Sequence, residues 1–246
     1  MNRMKKIALF SLSLFFVFLV STIFSIKFDY KLFNELDNNI IKYQFLDRNN
    51  KPINKTYQNK FNLSNNINIY TTNKRFIQFL IFSEDKNFYN HSGVDWLGRV
   101  KALYLNARSM RAKMGASTIS EQVTRILHRR KRNLWSKWIE GIEANLLERN
   151  VSKNAILEFY INQVPFANNI RGFELAARYY FDRSLDSLSL KEMLFLIVNI
   201  RAPSDFNAYK NANFVTINRY INILAQRLYE SNLIHRWNWM KLSTKN

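Results

Sequence analysis

Apolar positions along this chain follow two regimes. Residues 7 to 26, IALFSLSLFFVFLVSTIFSI, form an uncharged, mostly apolar run, and a helix of about 20 residues spans a hydrocarbon core about 30 Å thick. From Lys74 onward the apolar residues recur with a helical period instead. That period predicts helices over about 74–85, 94–109, 117–128, 134–149, 152–161, 171–181, 189–200 and 212–231. Between the two regimes the segment IIKYQFLDRNNKPINKTYQ places a polar turn with Pro52 between short alternating runs, the pattern of a small β hairpin. Pro52, Pro165 and Pro203 all fall in expected turns or loops, as their missing amide donor requires. The expected fold is mainly α, with a small N-terminal β hairpin and one transmembrane helix. Residues 1–26 read as a cytoplasmic tip and anchor, 27–73 as a stalk and hairpin, and 74–246 as the main domain.

Composition narrows the classes. With 47% hydrophobic and 15% aromatic residues, the chain is neither disordered nor collagen-like, and a packed core is expected. The absence of cysteine excludes disulfide scaffolds, thiolate metal sites and cysteine nucleophiles. A net charge of +19 points to an anionic partner. Arg3, Lys5 and Lys6 precede the apolar run, whereas Lys27 and Lys31 after it are offset by Asp29, Glu35 and Asp37. That asymmetry keeps the N-terminus in the cytoplasm and sends the rest outward. A cleaved signal peptide is the rival reading, but the run is longer than a usual signal core and no A-x-A site follows it. Export makes nucleic acid a poor partner and favours an anionic lipid or a lipid pyrophosphate.

One stretch carries candidate chemistry. Phe76, Ile77, Phe79, Leu80, Ile81 and Phe82 are apolar almost all round, so the helix that holds them is expected to be buried, and it runs directly into Glu84 and Asp85. Carboxylates at the C-terminal end of a buried helix meet desolvation and the negative end of the helix dipole, conditions that suit a general base or acid. The same acids could simply mark the solvated end of a core helix.

The run Glu84-Asp85-x-x-Phe88-x-x-His91-x-Gly93-Val94-Asp95 is similar to the first signature of the glycosyltransferase family 51 domain, the peptidoglycan polymerase of penicillin-binding proteins and monofunctional transglycosylases. Gly115-Ala116-Ser117-Thr118-Ile119-Ser120-Glu121-Gln122-Val123-Thr124-Arg125 resembles that family's G-G-S-T-I-x-x-Q-x-x-K signature, with Ala116 for the second glycine and Arg125 for the lysine. Ser136-Lys137-Trp138-Ile139-Glu140 parallels R-K-x-x-E, with Ser136 for the arginine. Lys153-x-x-Ile156-Leu157-Glu158-x-Tyr160-Ile161-Asn162 and the segment from Asn169 to Phe181 are similar to the fourth signature and its sequel. The fifth, R-R-x-x-V-L, is poorly kept around Arg219 to Leu224. In this stretch the residue pattern lets Ser117 cap the next helix, puts Gln122 and Arg125 on one face, and makes Ile156, Leu157 and Tyr160 core. On the following helix Trp135, Trp138, Ile139, Ile142 and Leu146 form an apolar stripe, and Glu140 lies roughly 140° from Trp135, so it is expected to face a cleft or water. The signature spacing, not the periodicity, selects Glu140 over Glu143.

The resemblance implies a lysozyme-like helical domain that polymerises lipid II into β-1,4 glycan with release of undecaprenyl pyrophosphate, at the outer face of the bacterial cytoplasmic membrane. It implies Glu84 as the base and Glu140 at the donor's sugar-phosphate region. Asp85, Ser117, Gln122, Arg125, Arg132 and Lys137 are the expected substrate contacts, while Arg129 and Arg130 read as solvated. Glu140 could act directly or by holding Mg²⁺ or Mn²⁺, which oxygen ligands suit; no sequence feature defines a metal site. Lipid-linked glycan and transpeptidases are the implied partners. A catalytically degenerate lipid II binder and a lytic glycan-cleaving enzyme are the alternatives, the second disfavoured because a hydrolase has no pyrophosphate to hold. Ser83-Glu84-Asp85-Lys86 also fits S-x-x-K, but no K-T-G accompanies it. His91, His128 and His235 lack zinc spacing, and His91 reads as a structural hydrogen-bond partner.

Overall fold

The structure, a computed structural model, describes residues 3–27, 33, 48, 66–109, 117–200 and 211–235. Its helices follow the expected periods closely: α1 (Arg3–Ser25), α2 (Lys74–Glu84), α3 (Trp96–Ser109), α4 (Ile119–Leu127), α5 (Leu134–Asn150), α6 (Lys153–Gln163), α7 (Phe173–Phe181), α8 (Leu190–Asn199) and α9 (Asn211–Glu230). The protein is mainly α. The described residues contain no named strand, only the isolated bridges Ser92–Val94 and Pro165–Arg171. The expected hairpin at 40–58 lies almost wholly outside the described residues.

Local chemistry explains where the helices begin. Asn73, Thr118, Asn133, Ser152 and Ser189 each accept a first-turn amide, satisfying donors that would otherwise be orphaned. The cap of α4 is Thr118 rather than the expected Ser117. Glu121 three residues on returns a bond to the Thr118 amide at 2.9 Å, and this reciprocal pair outcompetes a single serine cap. Gly93 holds φ at +80°, and a Cβ there would stand 2.5 Å from the Asn145 amide nitrogen. Glycine at that position lets the loop before α3 lie against α5.

The core forms where α2, α8 and α9 meet and where α4 packs on α5 and α6. Phe76, Phe79, Leu80 and Phe82 of α2 are all buried, as the all-round apolar pattern requires. On α5 the arrangement differs from the wheel. The buried face carries Ser136, Ile139, Glu140, Gly141, Glu143, Ala144 and Leu147, while Trp135 and Trp138 pack on α1. Phe18 stacks against both indoles with centroids 5.5 and 5.6 Å away, and their ring N–H groups donate to Ser25 and Thr22. Glu140 therefore turns inward, not to water. Two packed sides leave no single polar face for a hydropathy wheel to find.

Among the described residues no helix is long and apolar enough to cross a membrane. The α1 end is held to the body by charge. Arg130 donates to both oxygens of the fully buried Glu143 at 2.5 and 2.7 Å and reaches the Ser25 carbonyl, and the Lys27 amide donates to the same carboxylate. Arg130 is thus paired, not solvated as its place in a cationic run suggests. Removing it strands a carboxylate away from water, so Arg130→Ala is expected to lower stability by about 3–5 kcal/mol in denaturant titrations. Gly93→Ala, which forces a Cβ against backbone, is expected to lower the melting temperature, measured calorimetrically.

Candidate active site

The end of α2 delivers Glu84 half-buried to the face of α4. There the Gln122 amide N–H donates to Glu84 Oε2 at 3.2 Å, and Tyr160 Oη of α6 donates to Gln122 Oε1 at 3.0 Å. Tyr160, expected as core, is fully buried but spends its hydroxyl on orienting this amide. Asp85 caps α2 and points into the body, where it accepts from His91 Nε2 at 3.0 Å and from the Ile119 amide at 2.9 Å. Its oxygens are thus engaged within the protein, joining α2 to the start of α4. His91 acts as the structural partner its position suggested, with Glu148 and Lys153 on its other side.

A second cluster forms between α4 and α5. Arg125 makes a bidentate pair with Glu140, Nε to Oε1 at 2.9 Å and Nη2 to Oε2 at 2.6 Å. These bonds hold the guanidinium above its ordinary value against the opposing effect of burial. Lys137 Nζ donates to Ser117 Oγ at 2.7 Å and lies 3.0 Å from Glu121 and 3.7 Å from Glu140. Burial pushes its ammonium below the usual lysine value, with Glu121 opposing that shift. Glu121 is the hub of the cluster: completely buried, it receives Lys137, Arg99 and the Thr118 amide. Sequence reasoning missed Glu121 and Arg99. The Thr118-x-x-Glu121 capping pattern marked the first, but no local pattern ties Arg99 to an acid 22 residues away.

The structure therefore brings Glu84, Gln122, Arg125, Lys137, Glu140 and Ser117 to adjoining faces of α2, α4 and α5. Arg132 is exposed in the loop before α5, without an ion pair among the described residues. Ser136, where the resembling signature has arginine, is buried and donates to the Lys131 carbonyl at 2.7 Å, bracing that loop. The arrangement sets a carboxylate that accepts an amide N–H beside cations already partnered by acids. That is suited to taking up a proton next to a site that tolerates added negative charge.

The family model described as Transglycosylase matches residues 49–228. The chain belongs to the transglycosylase family. It is 37% identical over 164 residues to penicillin-binding protein 1A of Rickettsia typhi, covering 65% of this chain and 21% of that protein. Penicillin-binding protein 1B of Buchnera aphidicola is 35% identical over 177 residues, covering 70% of this chain and 24% of that one. The chain thus spans about a fifth to a quarter of the length of the curated relatives it matches. A crystal structure of penicillin-binding protein 1A from Haemophilus influenzae aligns with a TM-score of 0.41 at 16% identity, over 74% of this chain and 17% of that one.

The lowered Lys137 ammonium has a testable sign. If its charged form serves turnover, the basic limb of the rate profile lies below the ordinary lysine value of 10.5. Lys137→Arg, which keeps a charge at all accessible pH, is expected to move that limb to higher pH. An unmoved limb in a pH–rate titration would remove Lys137 from the chemistry.

Proposed function

We propose that this transglycosylase is an inverting peptidoglycan glycosyltransferase that polymerises lipid II into β-1,4 glycan strands and releases undecaprenyl pyrophosphate. The observation that carries the reading is Glu84, set at the end of a buried helix and held through one oxygen by Gln122. The Glu84 carboxylate takes the proton of the acceptor's C4 hydroxyl as the hydroxyl oxygen attacks C1 of the donor. The bond to the diphosphate breaks on the opposite face, and its electron pair leaves on the diphosphate oxygen. Arg125, Lys137 and the exposed Arg132 supply countercharge for the departing group. Glu140 acts by holding Arg125 and Lys137 in place, both its oxygens being within reach of those cations.

The residues do not fit a protein-held Mg²⁺ or Mn²⁺. Glu140 is already engaged by Arg125, and the described residues contain no group of three His, Cys, Asp or Glu able to hold an ion. No step is routed through a metal.

The remaining parts of the reading concern place and partners. The lysozyme-like architecture rests on the family resemblance and the mainly α fold. Residues 7–26 form the anchor on the sequence argument above, placing the domain at the outer face of a bacterial inner membrane. The exposed Trp96, Leu97, Val100, Leu103 and Tyr104 of α3 add an apolar stripe suited to a lipid surface. Transpeptidases are the proposed protein partners, since the relatives carrying this segment are penicillin-binding proteins.

Purified full-length chain incubated with labelled lipid II is expected to yield polymer, and moenomycin, the family's inhibitor, is expected to suppress it. Glu84→Gln keeps the shape and loses the base, so polymerisation should fall about 10²- to 10⁴-fold with an unchanged melting curve. Activity within tenfold of wild type would show that Glu84 is not the base.

A further inference from the structure

Two segments of this chain stand apart from its net charge of +19. Residues 66–73, NINIYTTN, and 87–92, NFYNHS, hold no Asp, Glu, Lys or Arg. Both meet α6. The first runs along it, with the Ile67 amide on Asn162 Oδ1 at 2.8 Å and the Ile69 amide on Glu158 Oε2 at 3.0 Å. The second reaches the start of the same helix through Tyr89.

Asn154 of α6 ties the two segments together. Tyr89 Oη donates to Asn154 Oδ1, and Asn154 Nδ2 donates to Tyr70 Oη, each at 3.2 Å. The side-chain amide is thereby fixed between two phenols, and Tyr70, having accepted, keeps its own proton to donate. Both rings nonetheless face solvent, Tyr70 71% and Tyr89 54% exposed. They are held from behind: Tyr89 packs edge-on against buried Phe88 with centroids 5.1 Å apart, and the Tyr70 amide donates to Asn68 Oδ1 at 2.8 Å. Burial and the nearby Tyr70 push the Tyr89 phenol up, so it stays a neutral donor.

The chemistry of this face selects its ligand. An anionic lipid surface calls for free cations, but the lysines bordering the two tyrosines are turned elsewhere, Lys153 to Glu148 and the Phe88 ring, Lys86 to the Phe82 ring. An apolar partner helix calls for aliphatic anchors. The exposed side chains of both segments end instead in phenols, amides and hydroxyls. Such a face suits an uncharged, polyhydroxylated ligand: the C–H faces of a sugar ring lie on the negative faces of the phenols, while its hydroxyls and acetamides meet Asn154 and the Tyr70 proton.

The same face is continuous with the candidate active site. Asn154 precedes Tyr160 by six residues of α6, roughly 9 Å along the helix axis, and Tyr160 orients the Gln122 amide that bonds Glu84. Tyr89 follows Glu84 closely in the chain, through the turn closed by the Phe88 amide on the Asp85 carbonyl at 2.9 Å.

We propose that Tyr70, Asn154 and Tyr89 form a carbohydrate platform outside the catalytic cluster, which holds the N-acetylated glycan strand beyond the sugars that react at Glu84. The identity of the strand rests on the function proposed above; the affinity for a neutral sugar does not.

The test is calorimetric titration of the β-1,4-linked tetramer of N-acetylglucosamine into the full chain, in a neutral detergent without a sugar headgroup. Tyr70→Ala and Tyr89→Ala are each expected to weaken binding by about fivefold or more, the size of one aromatic contact. Tyr70→Phe, which keeps the ring, retains most of the affinity, and Tyr220→Ala, at an exposed tyrosine of α9, leaves it unchanged. Wild-type affinity in both Tyr70→Ala and Tyr89→Ala overturns the proposal, as does a wild-type chain that does not bind the tetramer. A measurement on the unaltered chain covers an alanine variant that does not fold: the tetramer should protect Tyr70 and Tyr89, but not Tyr220, from iodination, and equal labelling with and without it overturns the platform. Self-association in sedimentation that Tyr89→Ala abolishes, with normal tetramer affinity, would replace the glycan by a second copy of the chain. Tetramer binding is read without turnover. Polymer formation with normal tetramer binding by the alanine variants therefore sinks only the platform, and tetramer binding that depends on the tyrosines in a chain that makes no polymer sinks only the glycosyltransferase reading.

Discussion

A carboxylate taken out of water is costly unless a cation follows it, and this constraint organises the contact between α4 and α5. Glu121, Glu140 and Glu143 are all buried. Each draws in a cation: Arg99 and Lys137 to the first, Arg125 to the second, Arg130 to the third. Removing one partner leaves the other charge desolvated, which is far worse than never having buried the pair. The helices are thereby held in one register, and the side chains nearest Glu84 inherit that register.

The pairing also shapes the chemistry. Arg125 and Lys137 stand in positions set by Glu140 and Glu121 before any substrate arrives, so little reorganisation is left for the reaction to drive. Glu84 accepts an amide N–H from Gln122, and that amide is itself oriented by the Tyr160 hydroxyl. A neutral donor can steady a base without becoming its permanent countercharge.

The third acid links the site to the N-terminal helix. Glu143 lies one helical turn beyond Glu140 on α5, and its Arg130 partner reaches the Ser25 carbonyl at the end of α1. Trp135 and Trp138 on the neighbouring face close the same contact through Phe18, Thr22 and Ser25. A single helix thus carries site residues on one side and seats α1 on the other. This is why its apolar stripe could not be read as a core-facing one.

The chain's own pattern determined the order and extent of the helices, because apolar period, caps such as Asn73 and Ser152, and the placing of prolines are all local. It also determined that Glu84 would end a buried helix and that Gln122 and Arg125 would share a face, since both follow from spacing within one element. Tertiary structure alone decided which cation meets which acid. Arg125 and Glu140 are 15 residues apart, Arg99 and Glu121 are 22 apart, and neither separation is periodic within a helix. It likewise turned Glu140 inward and gave Arg130 a buried partner while leaving Arg132 exposed in the same basic run. The physical reason is common to all of these. Helical period reports how a segment meets a water–core boundary, whereas desolvation and ion pairing depend on what stands across a gap in space, and that is known only once the elements have packed.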